Sequence, residues 1–279
     1  MSSRPFRPGW LLATALLIAA PLAVPQAETA LAPADPALDL VLEYKAYKGG
    51  FRFLEVEIGM DTLQPGRYDL DLEATLVGAP ALLLSYKIAT QAQGRRQGQE
   101  LLPERFRQDI NSSSKDKPQW MELNYDERLV PEVSGDPSPE KEPRAKVSAP
   151  RRAGAYDPLT AGLDVILQLA REGSCEARVP VYDGRRRFDI LAEDKGEVEM
   201  RKGTINIYSG PARLCELSVR PIGGYRFDER DRKNLPQSLE VYLAPPEPGL
   251  PAMPVRMVLR SNWGAILVHL TRVAEVVKG

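Results

Sequence analysis

The chain is poor in the residues from which most enzymes and metal sites are assembled. Its 279 residues include one histidine, His269, and two cysteines, Cys175 and Cys215. Zinc-type sites draw three or four ligands from histidine, thiolate and carboxylate, and this inventory does not supply such a set. There is no H-E-x-x-H, no G-x-S-x-G and no G-x-x-x-x-G-K-[ST]. The signatures of zincins, α/β-hydrolases and phosphate-binding loops are therefore missing. Charge excess is also lacking: 37 basic side chains stand against 38 acidic ones, a net charge of −1. Non-specific nucleic-acid binding needs a basic excess. Beyond residue 20 no apolar run approaches the ~20 residues of a membrane-spanning helix. Carboxylates are plentiful, but no pair is singled out for a glycosidase-type mechanism. The expectation is a non-enzymatic protein without cofactor or metal.

What is present begins with an address. Met1–Arg7 holds two arginines and no acid, and Trp10–Ala20 is an unbroken run of apolar and small residues. Small residues and prolines follow. That order is the order of a secretory signal, with Ala27 the expected last residue before cleavage. No cysteine lies near that point for a lipid anchor, and Arg4 and Arg7 are not adjacent as a twin-arginine route requires. A Sec-type signal peptide over 1–27, a mobile leader over 28–38 and a periplasmic location are expected. Cleavage would remove two basic residues and no acid, leaving 35 basic against 38 acidic and a net charge of −3.

From residue 39 onward the hydrophobic pattern has period two. Leu54, Val56 and Ile58 alternate with Glu55 and Glu57; Tyr68, Leu70, Leu72, Ala74 and Leu76 alternate with Asp69, Asp71, Glu73 and Thr75. Side chains alternate across a strand, so such rows are apolar inward and acidic outward. Further strands are expected over 40–47, 82–92, 104–110, 119–126, 177–182, 186–192, 197–201, 204–208, 213–220, 238–243, 254–261 and 265–273. Turn residues punctuate them at Gly49-Gly50, Pro65-Gly66, Asp183-Gly184 and Lys202-Gly203. One helix is expected: Asp157 caps it, Pro158 fits its first position, Leu159, Leu163, Ile166, Leu167 and Ala170 recur at helical spacing, and Gly173 ends it. Residues 131–155 hold five prolines, many charges and few large apolar side chains. They read as a long, exposed, disordered loop within a single β-rich domain over 39–275.

An exported chain meets an oxidising compartment, where Cys175 and Cys215 read as a disulfide. His269, in the strand-like run AILVHLTRV, reads as a packed strand residue. The sharpest polar signal is Tyr182-Asp183-Gly184-Arg185-Arg186-Arg187-Phe188. Asp-Gly favours a two-residue hairpin turn, and Arg185, Arg186 and Arg187 would follow it on one strand. Those three guanidinium groups are either an anion or headgroup grip or a charged edge that discourages aggregation. Leu82-Leu83-Leu84 and Trp120-Met121 are candidates for lining a cavity or filling the core.

The segment DPLTAGLDVILQLAREGSCEARVPVYDGRRRFDI, with Cys215 following in PARLCELSVRPIGGY, resembles the family known as domain of unknown function 3108. LEYKAYKGGFRFLEVEI, LLPERF and LPAMPVRMVLRSNWGAILVHLTRV carry the same resemblance, which spans residues 39–273. It implies an exported, β-rich envelope protein of a Gram-negative bacterium. The implied fold is a curved, mostly antiparallel sheet, an open or spiral barrel similar to the lipoprotein carriers, with one main helix. From the apolar rows and the arginine run, the expected partners are a lipid or another cell-envelope component, or a protein. The alternatives are an interaction module without a small ligand and an envelope-directed hydrolase.

Overall fold

Burial follows the alternation that the sequence displays. In strand β1 (Asp39–Lys48), Leu40, Leu42, Tyr44 and Ala46 are buried and their neighbours are not. The computed structural model describes residues 39–115, 117–136, 145–225, 238–261 and 264–275. The expected signal peptide and leader lie outside the described residues. Strands β2 (Phe51–Asp61), β3 (Arg67–Leu76), β4 (Tyr86–Gln97), β5 (Glu100–Ser112), β6 (Gln119–Tyr125) and β7 (Pro131–Asp136) form a meander. Two helices follow, α1 (Ala149–Arg152) and α2 (Pro158–Glu172). The second meander is β8 (Ala177–Tyr182), β9 (Arg187–Met200), β10 (Gly210–Gly223), β11 (Ser238–Ala244), β12 (Met253–Ser261) and β13 (Gly264–Glu275).

The two meanders are one 13-stranded sheet, because β1 pairs with β13; the order is β7-β6-β5-β4-β3-β2-β1-β13-β12-β11-β10-β9-β8. Neighbouring strands are antiparallel throughout, as in the central register Tyr44↔Leu270 and Ala46↔Val268. The sheet is strongly curved. Helix α2 touches β4 and β5 in one arm and β8 in the other, which a flat sheet of this width could not allow. The two edges, β7 and β8, do not pair with each other. The segment before α2 runs between the arms instead: the Gly154 amide donates to the Leu129 carbonyl at 3.0 Å, and the Tyr156 amide to the Pro180 carbonyl at 2.8 Å. The architecture is an open, barrel-like antiparallel sheet curled around one helix.

Several expectations are corrected. The stretch read as one exposed loop over 131–155 contains β7, whose Val133 pairs with Leu123, and the short helix α1; residues 137–144 lie outside the described residues. The strand expected over 82–92 begins at Tyr86, and Leu82 instead closes a 3₁₀ turn over Ala79–Leu82. The segments 186–192 and 197–201 are one strand, β9, while 204–208 forms no strand. β7 is an edge strand and Pro131 is its first residue, a position where the missing N–H is tolerated, and β6 supplies the pairing.

Helix α2 begins and ends as expected. The Asp157 carboxylate accepts from the Leu159 amide at 3.0 Å and the Thr160 amide at 2.9 Å, and Gly173 ends the helix in the left-handed region at φ 65°. Its burial is wider than one amphipathic stripe. Thr160, Ala161, Leu163, Val165, Leu167 and Leu169 are all buried, because sheet surrounds the helix on several sides.

Candidate functional site

The inner face of the sheet and α2 do not close fully on each other. Between them lies a cavity of about 230 Å³. One wall comes from β1–β3 through Leu42, Ile58, Met60 and Leu70, and the opposite wall from β9–β12 through Ile190, Leu217, Leu239 and Met257. The floor is α2, which presents Leu159, Gly162 and Ile166. No charged side chain lines it, and Tyr44 carries the only side-chain hydroxyl in the lining. That hydroxyl is buried without a hydrogen-bond partner among the described residues, and burial pushes its pKa well above the usual phenol value. Such a lining offers water few of the two to four polar partners it needs.

The cavity is open along one flank. Pro158 and Gly162 are exposed and Ile166 half-buried, one stripe at i, i+4 and i+8 of α2; Ile58, Ile190, Leu217, Leu239 and Met257 across from it are also half-buried. Gly162 keeps the hollow open, since a Cβ built there meets nothing within 4 Å. Cys215 lines the same space and is joined to Cys175, so the expected disulfide is present and ties the exit of α2 to β10. A larger hollow of about 730 Å³ beside Pro245–Pro248 includes Glu197 and Arg213, so its lining is mixed where that of the first is apolar.

A buried polar cluster fixes the entry of α2. The Thr160 hydroxyl donates to the second Asp157 oxygen at 2.6 Å, and Tyr68 of β3 lies 3.0 Å from the same hydroxyl. Burial lifts the Asp157 pKa to about 6, although the Thr160 and Leu159 donors pull it down. All three side chains are fully buried. The cluster is an anchor that holds the cavity floor against β3, with no access for a substrate.

The arginine run is not assembled at the cavity. Asp183 to Arg186 is a four-residue turn rather than a two-residue one, and only Arg187 lies on β9. The Arg186 guanidinium is paired with Asp183 at 2.8 Å, and Arg187 with the buried Asp189 at 2.7 Å, which also holds Arg178 at 2.6 Å. Burial raises the Asp189 pKa, but Arg187 and Arg178 outweigh it and hold the carboxyl below its ordinary value. Arg187 lies three residues from Ile190 and so on the opposite face of its strand. None of the three arginines lines the cavity.

Other candidates fall elsewhere. His269 sits half-buried on β13, with its pKa lowered by burial and by Arg256. With both cysteines in the disulfide it has no thiol partner. Among the described residues no group of three or more His, Cys, Asp or Glu side chains is placed to hold a metal ion. Leu82 and Leu83 are 86% and 92% exposed, so neither lines a cavity; Trp120 is partly exposed under Arg107, while Met121 is core. The role of Gly162 depends on strands far away in sequence, which a linear reading does not display.

An open, curled antiparallel sheet holding one helix and an apolar hollow defines the class. The chain belongs to the family described as protein of unknown function DUF3108, which matches residues 43–271. Among solved structures it is similar to a β-barrel-like protein of domain of unknown function DUF1849 from Brucella abortus, at TM-score 0.52 and 9% identity, covering 87% of this chain and 100% of that one. A weaker likeness, at TM-score 0.32 and 10% identity, is to a putative lipoprotein from Parabacteroides distasonis, covering 85% of this chain and 96% of that one. No curated protein matches.

Proposed function

We propose that this protein is an exported, non-enzymatic component of the bacterial cell envelope that binds an acyl chain or a similar apolar group between α2 and the inner face of its sheet. The observation that carries the reading is the lining: an open-sided cavity of about 230 Å³ without a charged side chain. At roughly 30 Å³ per heavy atom, taking the volume share of a water as the measure, the space holds about eight methylenes. At ~0.8 kcal/mol each, their transfer supplies roughly 6 kcal/mol before the costs of association. That suits reversible holding of one chain segment. An anionic headgroup at Arg185–Arg187 is a separate proposal, since it would have to displace Asp183 and Asp189 from their arginines.

The test is titration with cis-parinaric acid, a fatty acid that fluoresces in apolar surroundings. The expected result is saturable enhancement, reversed by unlabelled palmitate. A linear, non-displaceable signal would refute the reading and favour an interaction module.

A further inference from the structure

Among the described residues, the most exposed large hydrophobic side chains lie outside the cavity. The connection from β3 to β4, Val77 to Ser85, reads VGAPALLLS and contains no charged residue. Ala79, Pro80 and Ala81 are exposed, and Leu82 and Leu83 are the most exposed large hydrophobic residues among those described, at 86% and 92%. Phe51, 78% exposed, is the first residue of β2, directly after the Gly49-Gly50 turn. Single exposed leucines are ordinary. A run of five exposed apolar residues beside an exposed phenylalanine is a patch.

The loop is held firmly. The Val77 amide donates to the Phe53 carbonyl at 2.9 Å, and Gly78, at φ 69°, lets the chain close on the Arg52 carbonyl, which a Cβ would meet at 2.5 Å. On the other flank the Ser113 amide donates to the Ser85 carbonyl at 3.0 Å, and the Ser85 amide to the Ser113 hydroxyl at 3.0 Å. Segments 48–52 and 77–85 and the residues around Ser113 therefore form one rim of the sheet. Their described residues include the basic Lys48, Arg52, Lys115 and Lys117 on a chain whose net charge is −1; Asp116 lies outside the described residues. Arg52 is paired with Glu55 at 2.8 Å; Lys48 and Lys117 are exposed.

We propose that this rim docks on an anionic lipid bilayer. Leu82, Leu83 and Phe51 enter the interfacial layer, and the lysines meet the lipid phosphates. The shape fits this partner: a convex apolar tip enters a soft phase without a matching pocket, and apolar insertion combined with basic flanks is how surface-bound proteins hold to anionic membranes. The inner row Met60, Ile58, Val56 and Leu54 also runs from the cavity to this rim, changing from buried at Met60 to half-buried at Leu54. Docking would bring that apolar wall to the membrane surface. No described helix is long and apolar enough to cross a membrane, so attachment through this rim is peripheral. The inference does not depend on a ligand in the cavity.

The experiment uses the full chain and vesicles of phosphatidylethanolamine and phosphatidylglycerol. In the variant Leu83→Trp, the emission added over wild type should shift to the blue on vesicle addition and be quenched by lipids brominated on their acyl chains. This readout is local to the loop, so it is unaffected by membrane affinity elsewhere in the chain. The added emission should respond about tenfold more weakly to phosphatidylcholine vesicles, because each lysine near an anionic surface contributes separately. The double variant L82D/L83D should keep its thermal midpoint and lose roughly tenfold or more in vesicle affinity. A variant with the cavity blocked, Gly162→Leu, should bind vesicles as wild type does, which separates this inference from the ligand reading. Added emission from L83W that neither shifts nor is quenched would overturn the proposal, whatever the double variant does.

Discussion

Gly162 offers the most direct structural test of the cavity. It lies inside α2, lines the hollow, and would place a Cβ with nothing within 4 Å. Alanine there should stabilise the protein by about 1 kcal/mol, since glycine is the poorest helix former after proline. For a chain of this size that is roughly 2–4 °C in Tm. Leucine has nearly the same helix propensity as alanine and adds four carbons. At about 30 Å³ per carbon it fills roughly half of the space. A bound chain would lose about four methylenes of contact, about 3 kcal/mol at 0.8 kcal/mol each, or roughly a hundredfold in Kd. Thermal unfolding and cis-parinaric acid titration of wild type, Gly162→Ala and Gly162→Leu read both quantities. The reasoning is refuted if G162L is destabilised, since the hollow would then be too tight to accept a leucine. It is also refuted if G162L binds the probe as tightly as wild type.

Three other outcomes are expected. Gly224→Ala should cost more than ~2 kcal/mol, because at φ 78° its Cβ would collide with the backbone carbonyl of Arg185; an unchanged urea midpoint would contradict this. Asp157, with its pKa raised to about 6 by burial, favours the fold while protonated. Its contribution is fully present below its unfolded value near ~4 and lost as pH rises through about 6, on the order of 2–3 kcal/mol. Urea midpoints between pH 4 and 7 should therefore fall for wild type relative to Asp157→Asn, whose curve lacks this slope; parallel curves would contradict the assignment. Opening the Cys175–Cys215 bridge by C175S/C215S frees a 40-residue separation and should lower stability by about 4 kcal/mol, read as a reduced urea midpoint.

Much of the fold was legible because local patterns and final burial agree. Leu40, Leu42 and Tyr44 alternate in sequence and are buried in β1; Asp157, Pro158 and Gly173 bound the helix they were expected to bound. The disulfide followed from two cysteines in a chain expected to be exported. What the sequence could not display is long-range. The pairing of β1 with β13 joins residues 218 to 235 apart, and it alone makes two meanders one sheet. The cavity depends on that closure, since its walls come from strands at both ends of the chain. The run Arg185–Arg187 looked like a ligand grip because Asp183 and Asp189, which occupy two of the three arginines, are ordinary acids in a linear reading. Leu82 and Leu83 misled in the other direction: an apolar triplet implies burial, and only the turn beginning at Gly78 shows that they point out of the fold.

The central claim is that the hollow between α2 and the sheet holds an apolar chain. Native mass spectrometry of the protein, purified without detergent and incubated with a mixture of bacterial lipids, tests it most directly. The account predicts an adduct of acyl-lipid mass that leaves on denaturation and is lost in G162L. A bare mass for wild type under conditions that preserve the fold, or an adduct equally abundant in G162L, would contradict it.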